Sequence, residues 1–348
     1  CPASEGGCLD GTIENGRIID RDGNETSVER SPGGRLAIVS PFGQRTELVA
    51  GGHGFLESVV DPAGGTVLLE NSSDGLLLRL TDARGGVHPM EYDDLGRLAR
   101  DSDPAGGFWH LLRVEEPRPD KDDPEVHTVI TATALGRDTS FRVVKESSGT
   151  LRQTLTFPSG RSTEWSRDTF DVETTRHADG TVVRSEPGRD PRWGSQAPLR
   201  KGLTITTPGA RVSSSSFERT VTLADPFNLL SIVTMTDVAT INGQRWTAAY
   251  DASTRAIIST SPEGRKLTLV LDERGRIVEA GQDGLLPVAI EYDARGRVRA
   301  LSVGSDAEVR RNKFQYGEDG FLASATDALG RLVTYDRDPV GRTRLSVL

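Results

Sequence analysis

Glycine returns along the first third of the chain at Gly23, Gly33, Gly43, Gly54, Gly64, Gly75, Gly85, Gly96 and Gly106, in steps of ten or eleven, so that two steps make a 21-residue period. The text repeats with it, as Asp61-Pro62-Ala63-Gly64-Gly65, Asp82-Ala83-Arg84-Gly85-Gly86 and Asp103-Pro104-Ala105-Gly106-Gly107. A fixed period of this length marks a repeat architecture, in which each unit buries apolar surface only against its neighbours.

A turn every ten or eleven residues leaves six or seven for a straight element, which is strand length and too short for an average helix. The turns have a mechanism. Ser31-Pro32-Gly33-Gly34, Ser40-Pro41-Phe42-Gly43, Asp61-Pro62-Ala63-Gly64, Asp103-Pro104-Ala105-Gly106 and Ser261-Pro262-Glu263-Gly264 all place Asp or Ser first, Pro second and Gly fourth, the preference of a type I turn. Gly85 and Gly96 sit where the backbone needs positive φ, whereas Gly107 only flanks a turn. Between turns the pattern alternates, with Leu56, Leu77, Leu98, Leu69 and Met90 facing inward and Arg or Glu between them. Each unit reads as one β-hairpin, and the array as an all-β, antiparallel sheet of hairpins laid side by side. The architectural alternative is a β-propeller, since two units make a 42-residue blade.

The beat resumes near the C-terminus at Gly264, Gly275, Gly284, Gly296, Gly320, Gly330 and Gly341, with Ser305-Asp306-Ala307-Glu308 absorbing the one long step. Tyr250-Asp251, Leu271-Asp272 and Tyr292-Asp293 share a register with Tyr92-Asp93. The segments Glu91-Tyr92-Asp93-Asp94-Leu95-Gly96-Arg97-Leu98 and Glu291-Tyr292-Asp293-Ala294-Arg295-Gly296-Arg297-Val298 resemble the Tyr-Asp repeat of the Rhs/YD-repeat family. Asp327-Ala328-Leu329-Gly330-Arg331 resembles the turn leading into its next Tyr-Asp strand, here Tyr335-Asp336. The resemblance is clearest in residues 31–110 and 250–348. It implies a spiral of hairpins wound into a shell, which encloses a toxic domain in polymorphic toxins and forms a rigid extracellular body in teneurin-like adhesion proteins. Asp338-Pro339-Val340-Gly341-Arg342 only partly echoes the self-cleavage segment of the toxin branch.

The chain divides into a lead-in strand and linker (1–20), regular repeats (21–110), divergent strands (111–249) and regular repeats again (250–348). Residues 115–125 and 186–202, charged and proline-rich, read as loops, with Trp193 packed back onto the sheet. An apolar fraction of 35% suits a one-layer sheet with a wet face better than a sandwich. A net charge of −9 argues against nucleic acid or an anionic membrane surface as partner. No apolar run approaches the length of a membrane span. Cys1 and Cys8 are the only cysteines and read as a small disulfide, the remnant of a preceding module, or a lipidated N-terminal Cys.

No catalytic, cofactor-binding or metal-ligating residue emerges. His53, His88, His110, His127 and His177 stand singly, without metal-ligand spacing. Asp20-Arg21-Asp22-Gly23-Asn24 and Asp101-Ser102-Asp103 begin like calcium loops but lack the rest of the ligand set, and turn chemistry accounts for them. Asp120, Asp122, Asp123 and Glu125 read as a solvated acidic loop, and Ser213–Ser216 as a polar strand edge rather than a nucleophile elbow. Asn24-Glu25-Thr26 and Asn71-Ser72-Ser73 match the glycosylation acceptor pattern. The expected role is a non-enzymatic wall segment of a secreted or cell-surface protein, partnered by other parts of its own polypeptide. The alternative is an adhesin module binding a glycan or a cell-surface protein, with Trp109, Trp165, Trp193 or Trp246 as sugar platform.

Overall fold

The computed structural model describes residues 11–347, apart from 15, 32–34 and 305–308. Among them thirty strands, β1 to β30 in chain order, follow one another as a strict antiparallel meander in one open sheet. Among the described residues no helix interrupts it, and neither a closed barrel nor propeller blades form. Cys1, Cys8, Pro32-Gly33-Gly34 and Ser305–Glu308 lie outside the described residues.

The regular turns share one geometry. The amide of Gly64 donates to the Asp61 carbonyl at 2.9 Å, and the Asp61 amide to the Gly65 carbonyl at 2.8 Å. Gly64 sits at φ 85°. This is a type I turn closed by a left-handed residue, a three-residue hairpin loop whose twist matches the strands. The side chain of the first residue completes it, for Asp61 Oδ1 accepts the amides of Ala63 and Gly65, both at 2.8 Å. Asp82, Asp93, Asp103, Asp272, Asp293, Asp327 and Asp338 do the same in their own turns. The recurrent Asp and Gly are therefore two parts of one device, an acceptor for the turn's amides and a backbone free to reverse.

Alternate turns fall on opposite edges of the ribbon. One edge carries the turns at Gly54, Gly75, Gly96, Gly275, Gly296, Gly320 and Gly341, and is called the tyrosine edge because Tyr92, Tyr292 and Tyr316 precede three of them. The plain edge carries Gly23, Gly43, Gly64, Gly85, Gly106, Gly264 and Gly330. Every register shift among the described residues falls in a hairpin of the tyrosine edge, and outside the irregular β17–β18 arm it lies one residue beyond the turn, as between Glu291 and Tyr292 opposite Ala300 and Val298. A bulge bends its strand and increases local twist, so bulges confined to one edge coil the ribbon.

The sheet has no core in the globular sense. Only Ala37, Val126 and Ala300 are buried apolar residues among those described, and the accessible surface is 22947 Å². A compact globule of this mass would expose about 14,000 Å². The inward residues Leu56, Leu69, Leu77, Met90 and Leu98 are half-buried on one face of a single layer, as the alternation predicts.

Three sequence readings change. Residues 186–202 are not a loop, because β17 (Val182–Asp190) and β18 (Gly194–Thr206) run through them as a hairpin arm. Pro187 and Pro198 hid the strands, but the arm extends past its neighbours and its pairing is irregular there, so the missing amides break no ladder. The Tyr335-Asp336 register is also shifted: Asp338 opens that turn, with Arg337 before it, and Tyr335 lies in mid-strand. Finally, the lead-in segment is already sheet, since Gly11–Glu14 pairs with Arg17–Asp20 and that strand with Glu25–Ser31. The loop read over 115–125 holds for residues 116–124, between strands Phe108–Glu115 and Glu125–Thr133.

The positive φ of Gly85 (83°), with open space where a Cβ would stand, isolates the backbone term, whereas Gly209 has equal space and no positive φ. Gly85→Ala is expected to cost about 1–2 kcal/mol and Gly209→Ala to be neutral or slightly stabilising. Urea midpoints of the two variants check this.

Candidate functional site

The residue before five of these seven tyrosine-edge turns has a shared task. Tyr92 donates its hydroxyl to the Leu77 carbonyl, Tyr292 to that of Ile277 and Tyr316 to that of Val298, each at 2.8 Å. Asn71 makes the same contact with the Leu56 carbonyl at 2.8 Å, and Arg337 with that of Leu322 at 3.1 Å. Every accepting carbonyl lies two residues past the left-handed glycine of the preceding turn on that edge. The reason is local. Strands Leu77–Thr81 and Val87–Tyr92 pair only from Arg79 onward, so they splay at this edge and leave carbonyls without a ladder partner. The long side chain spans the gap, and burial holds the Tyr316 phenol above its ordinary pKa, protonated and able to donate.

Arginine links one such tie to the next. Arg276 and Arg297 pair with Asp272 and Asp293 of their own turns, both at 2.8 Å through Nε. Their guanidinium groups lie over the rings of Tyr292 and Tyr316, at 4.5 and 4.3 Å from the centroids. Asp, Gly, Arg and the following Tyr thus form a continuous spine along the edge. The Arg97 amide and then its guanidinium hold the Asp93 carboxyl below the usual range, and Arg331 does the same for Asp327.

The plain edge of the early strands lies against the tyrosine edge of the late ones. Asp22 pairs with Arg274 and, at 2.9 Å, with Arg276, and it sits where a Cβ on Gly296 would stand. The Asn24 side-chain amide donates to the Arg295 carbonyl at 3.0 Å. Phe42 packs on Gly320 in the same manner, with Arg295 and Arg297 at 5.7 and 5.0 Å from its ring. One turn of the ribbon is therefore stacked on another, and this contact is a seam in a spiral wall.

A recess on the apolar face measures about 640 Å³ and lies under the 186–202 arm. Phe217, Ala239, Trp246, Ala248 and Leu267 form its floor and Leu199 of the arm one side. Asp190, 3% exposed, ties the arm down, with its carboxylate 3.2 Å from Arg219, which in turn grips Asp237 at 2.6 and 2.7 Å. Burial alone would raise the Asp190 pKa, but the amides of Arg192 and Trp193 and the Arg219 guanidinium outweigh it and lower it. Sequence reading missed this network. The available signal was Arg219, a lone cation at an apolar position of the alternating stretch Phe217 to Leu223.

A family model described as Teneurin YD-shell matches residues 11–342. The chain belongs to the teneurin YD-shell family. A comparison with curated proteins gave no match. Among solved structures, the crystal structure of TcdB2-TccC3 without its hypervariable C-terminal region is 12% identical with a TM-score of 0.47, covering 95% of this chain and 22% of that one. A Tc holotoxin pore from Photorhabdus luminescens is 11% identical with a TM-score of 0.21, covering 92% and 26% respectively. The YD-shell chain thus spans about a quarter of the length of these structures.

The residues weighed for chemistry on sequence are scattered along this YD-shell ribbon. His88 is 3.8 Å from Asp82 and His110 stacks edge-on against Phe108, with no two histidines brought together. In the acidic loop, Asp120 and Asp123 accept amides of the loop itself. Asp20 and Asp103 are turn acceptors. Among the described residues no group of three or more His, Cys, Asp or Glu side chains is placed to hold a metal ion. Ser213 to Ser216 alternate along β19 (Val212–Leu223). Both glycosylation matches carry occupied amides, Asn24 in the seam and Asn71 in a tie. Of the tryptophans, Trp246 alone lines the recess under the arm.

The spine predicts unequal tyrosines. Tyr292→Phe removes a hydrogen bond from a splayed carbonyl and is expected to cost about 1 kcal/mol. Tyr335→Phe, whose hydroxyl makes no tie, should leave the urea midpoint unchanged. The turn carboxylates set the acid limit. Their folded pKa values lie below the unfolded value of about 3.9, so the unfolded chain binds more protons as pH falls, and the stabilisation present above that value is lost below it. Melting temperature is expected to fall as pH drops below about 4, and less steeply in Asp93→Asn, whose side chain keeps an acceptor but cannot titrate.

Proposed function

We propose that this chain is a wall segment of a YD-repeat β-shell, enclosing or displaying another part of its own polypeptide and performing no catalysis itself. We read residues 21–348 as one array and the parent protein as secreted or cell-surface. The observation that carries this reading is the seam: a single-layer ribbon whose two edges engage each other through matched turns is built to make a continuous surface, not a pocketed globule. The apolar face, with Trp246 and Tyr292, then lines the interior, and the face bearing Glu291, Arg299 and Arg311 meets solvent, where these charges pair at 2.7 to 3.0 Å.

Ala248 and Ala249 are adjacent and point to opposite faces. Cysteine placed at each, in the protein as its cells make it, separates the two sides above the background of Cys1 and Cys8. Small and large maleimides are both expected to label Ala249→Cys, and only the small one Ala248→Cys. Equal labelling of the two by the large reagent would refute enclosure.

A further inference from the structure

The recess under the arm is laid out by strand register. Phe217, Ala239 and Trp246 are cross-strand neighbours in one row of the apolar face, and Arg219, Asp237, Ala248, Ser259 and Leu267 in the next. Small side chains make the middle of the floor and large ones its walls. Phe217 and Trp246 stand two strand spacings apart, about 10 Å, with only the methyl group of Ala239 between them. That width admits one flat ring, which needs about 7 Å between two others. Neither ring stacks on another ring or lies under a cation among the described residues, and Trp246 is 37% exposed. The slot is an open aromatic clamp, and a recess of about 640 Å³ has the size of a small-molecule site.

The charges select the ligand. Inside the recess they cancel: Arg219 directs Nε and one terminal nitrogen at Asp237 and the other at Asp190, which also faces Arg192 at 3.6 Å. Glu218 and Lys266, at the margin, alternate to the opposite face and offset each other. What remains at the mouth is positive. The Arg200 guanidinium, on the arm, has no carboxylate or other acceptor among the described residues, and Arg265 meets only Glu263, at 3.8 Å with both side chains in solvent. Every strand of the floor is already hydrogen-bonded on both sides, so the recess offers no free ladder edge to a chain segment. We propose that it binds a flat, largely apolar carboxylate, a free small molecule, with its ring clamped between Phe217 and Trp246 and its carboxylate at the mouth with Arg200.

Isothermal titration calorimetry of the full chain with naphthoate, naphthalenemethanol and naphthylmethylammonium tests this, since the three share a ring system and differ in charge. Naphthoate is expected to saturate a single site, about tenfold more tightly than the alcohol, with the ammonium weakest. Arg200→Gln should remove most of that preference while leaving the alcohol's affinity unchanged. Ala239→Leu, which fills the slot from its floor, should abolish binding of all three with an unchanged strand signal in circular dichroism. Trp246→Ala, which removes one wall, replaces it if that variant loses the signal. Naphthoate that fails to saturate, an ammonium bound as tightly as the carboxylate, a carboxylate preference untouched by Arg200→Gln, or binding that survives the altered slot overturns the proposal.

Discussion

The hydroxyl-to-carbonyl tie at the tyrosine edge is the contact on which the rest of the ribbon depends. In the regular repeats two neighbouring hairpins share a backbone ladder over only part of their length, and the strands part at the edge where the bulges lie. An open ladder end is a row of unsatisfied carbonyls, and each costs free energy if it is shielded from water without a donor. A side chain long enough to cross the splay cures this without closing it. Tyr92, Tyr292 and Tyr316 do so with an aromatic ring, which in Tyr292 and Tyr316 also offers a face to the arginine of the preceding turn, while Asn71 and Arg337 satisfy the carbonyl by other means. Asp and Gly serve the turn, Tyr serves the gap it creates, and Arg couples one gap to the next.

Confining bulges to one edge has a geometric consequence. A ribbon with identical edges twists but need not coil in one direction, whereas extra residues along a single edge bend every second strand the same way. The ribbon then returns to its own flank after roughly one circuit, and turns at 20–24 and 40–44 meet turns some 250 to 280 residues later. The seam is built from small residues and charges. Glycine admits the opposing side chain, and arginine closes over it. At the next position the third residue is Ala63, too small to reach across, and the two walls leave a cavity of about 800 Å³ between the turns at Asp61 and Asp338. Side-chain size at one turn position therefore decides whether the wall is tight or gapped.

Much of this was legible in the sequence, since period, turn type and facing all follow from glycine spacing and alternation, which are local properties. What the Tyr, Asp and Arg do for one another was not, because each tie joins residues 15 or more apart, and the partner is a backbone carbonyl that leaves no trace in the text. The shifted register at Tyr335 shows the cost of reading the motif as letters. Tyr335-Asp336 has the right pair, yet Asp338 has the right distance to Gly341, and the turn obeys the distance. The seam was invisible for a similar reason: Asp22 and Phe42 look like ordinary turn residues until a turn from the far end of the array lies against them.

The divergent middle, where the motif fades, shows that the spine is one of two ways to hold such a sheet. Strands there are longer, with β18 running 13 residues and β19 running 12, against five or six in the regular repeats. A longer ladder supplies more backbone hydrogen bonds per strand pair, so the stretch needs fewer side-chain ties at its ends. The extra length also frees the end of the β17–β18 hairpin to leave the sheet and fold over the apolar face, where the Asp190–Arg219–Asp237 network ties it down. Regular repeats make wall, and the irregular stretch is where the wall acquires the anchored carboxylate of Asp190 and the recess beneath the arm.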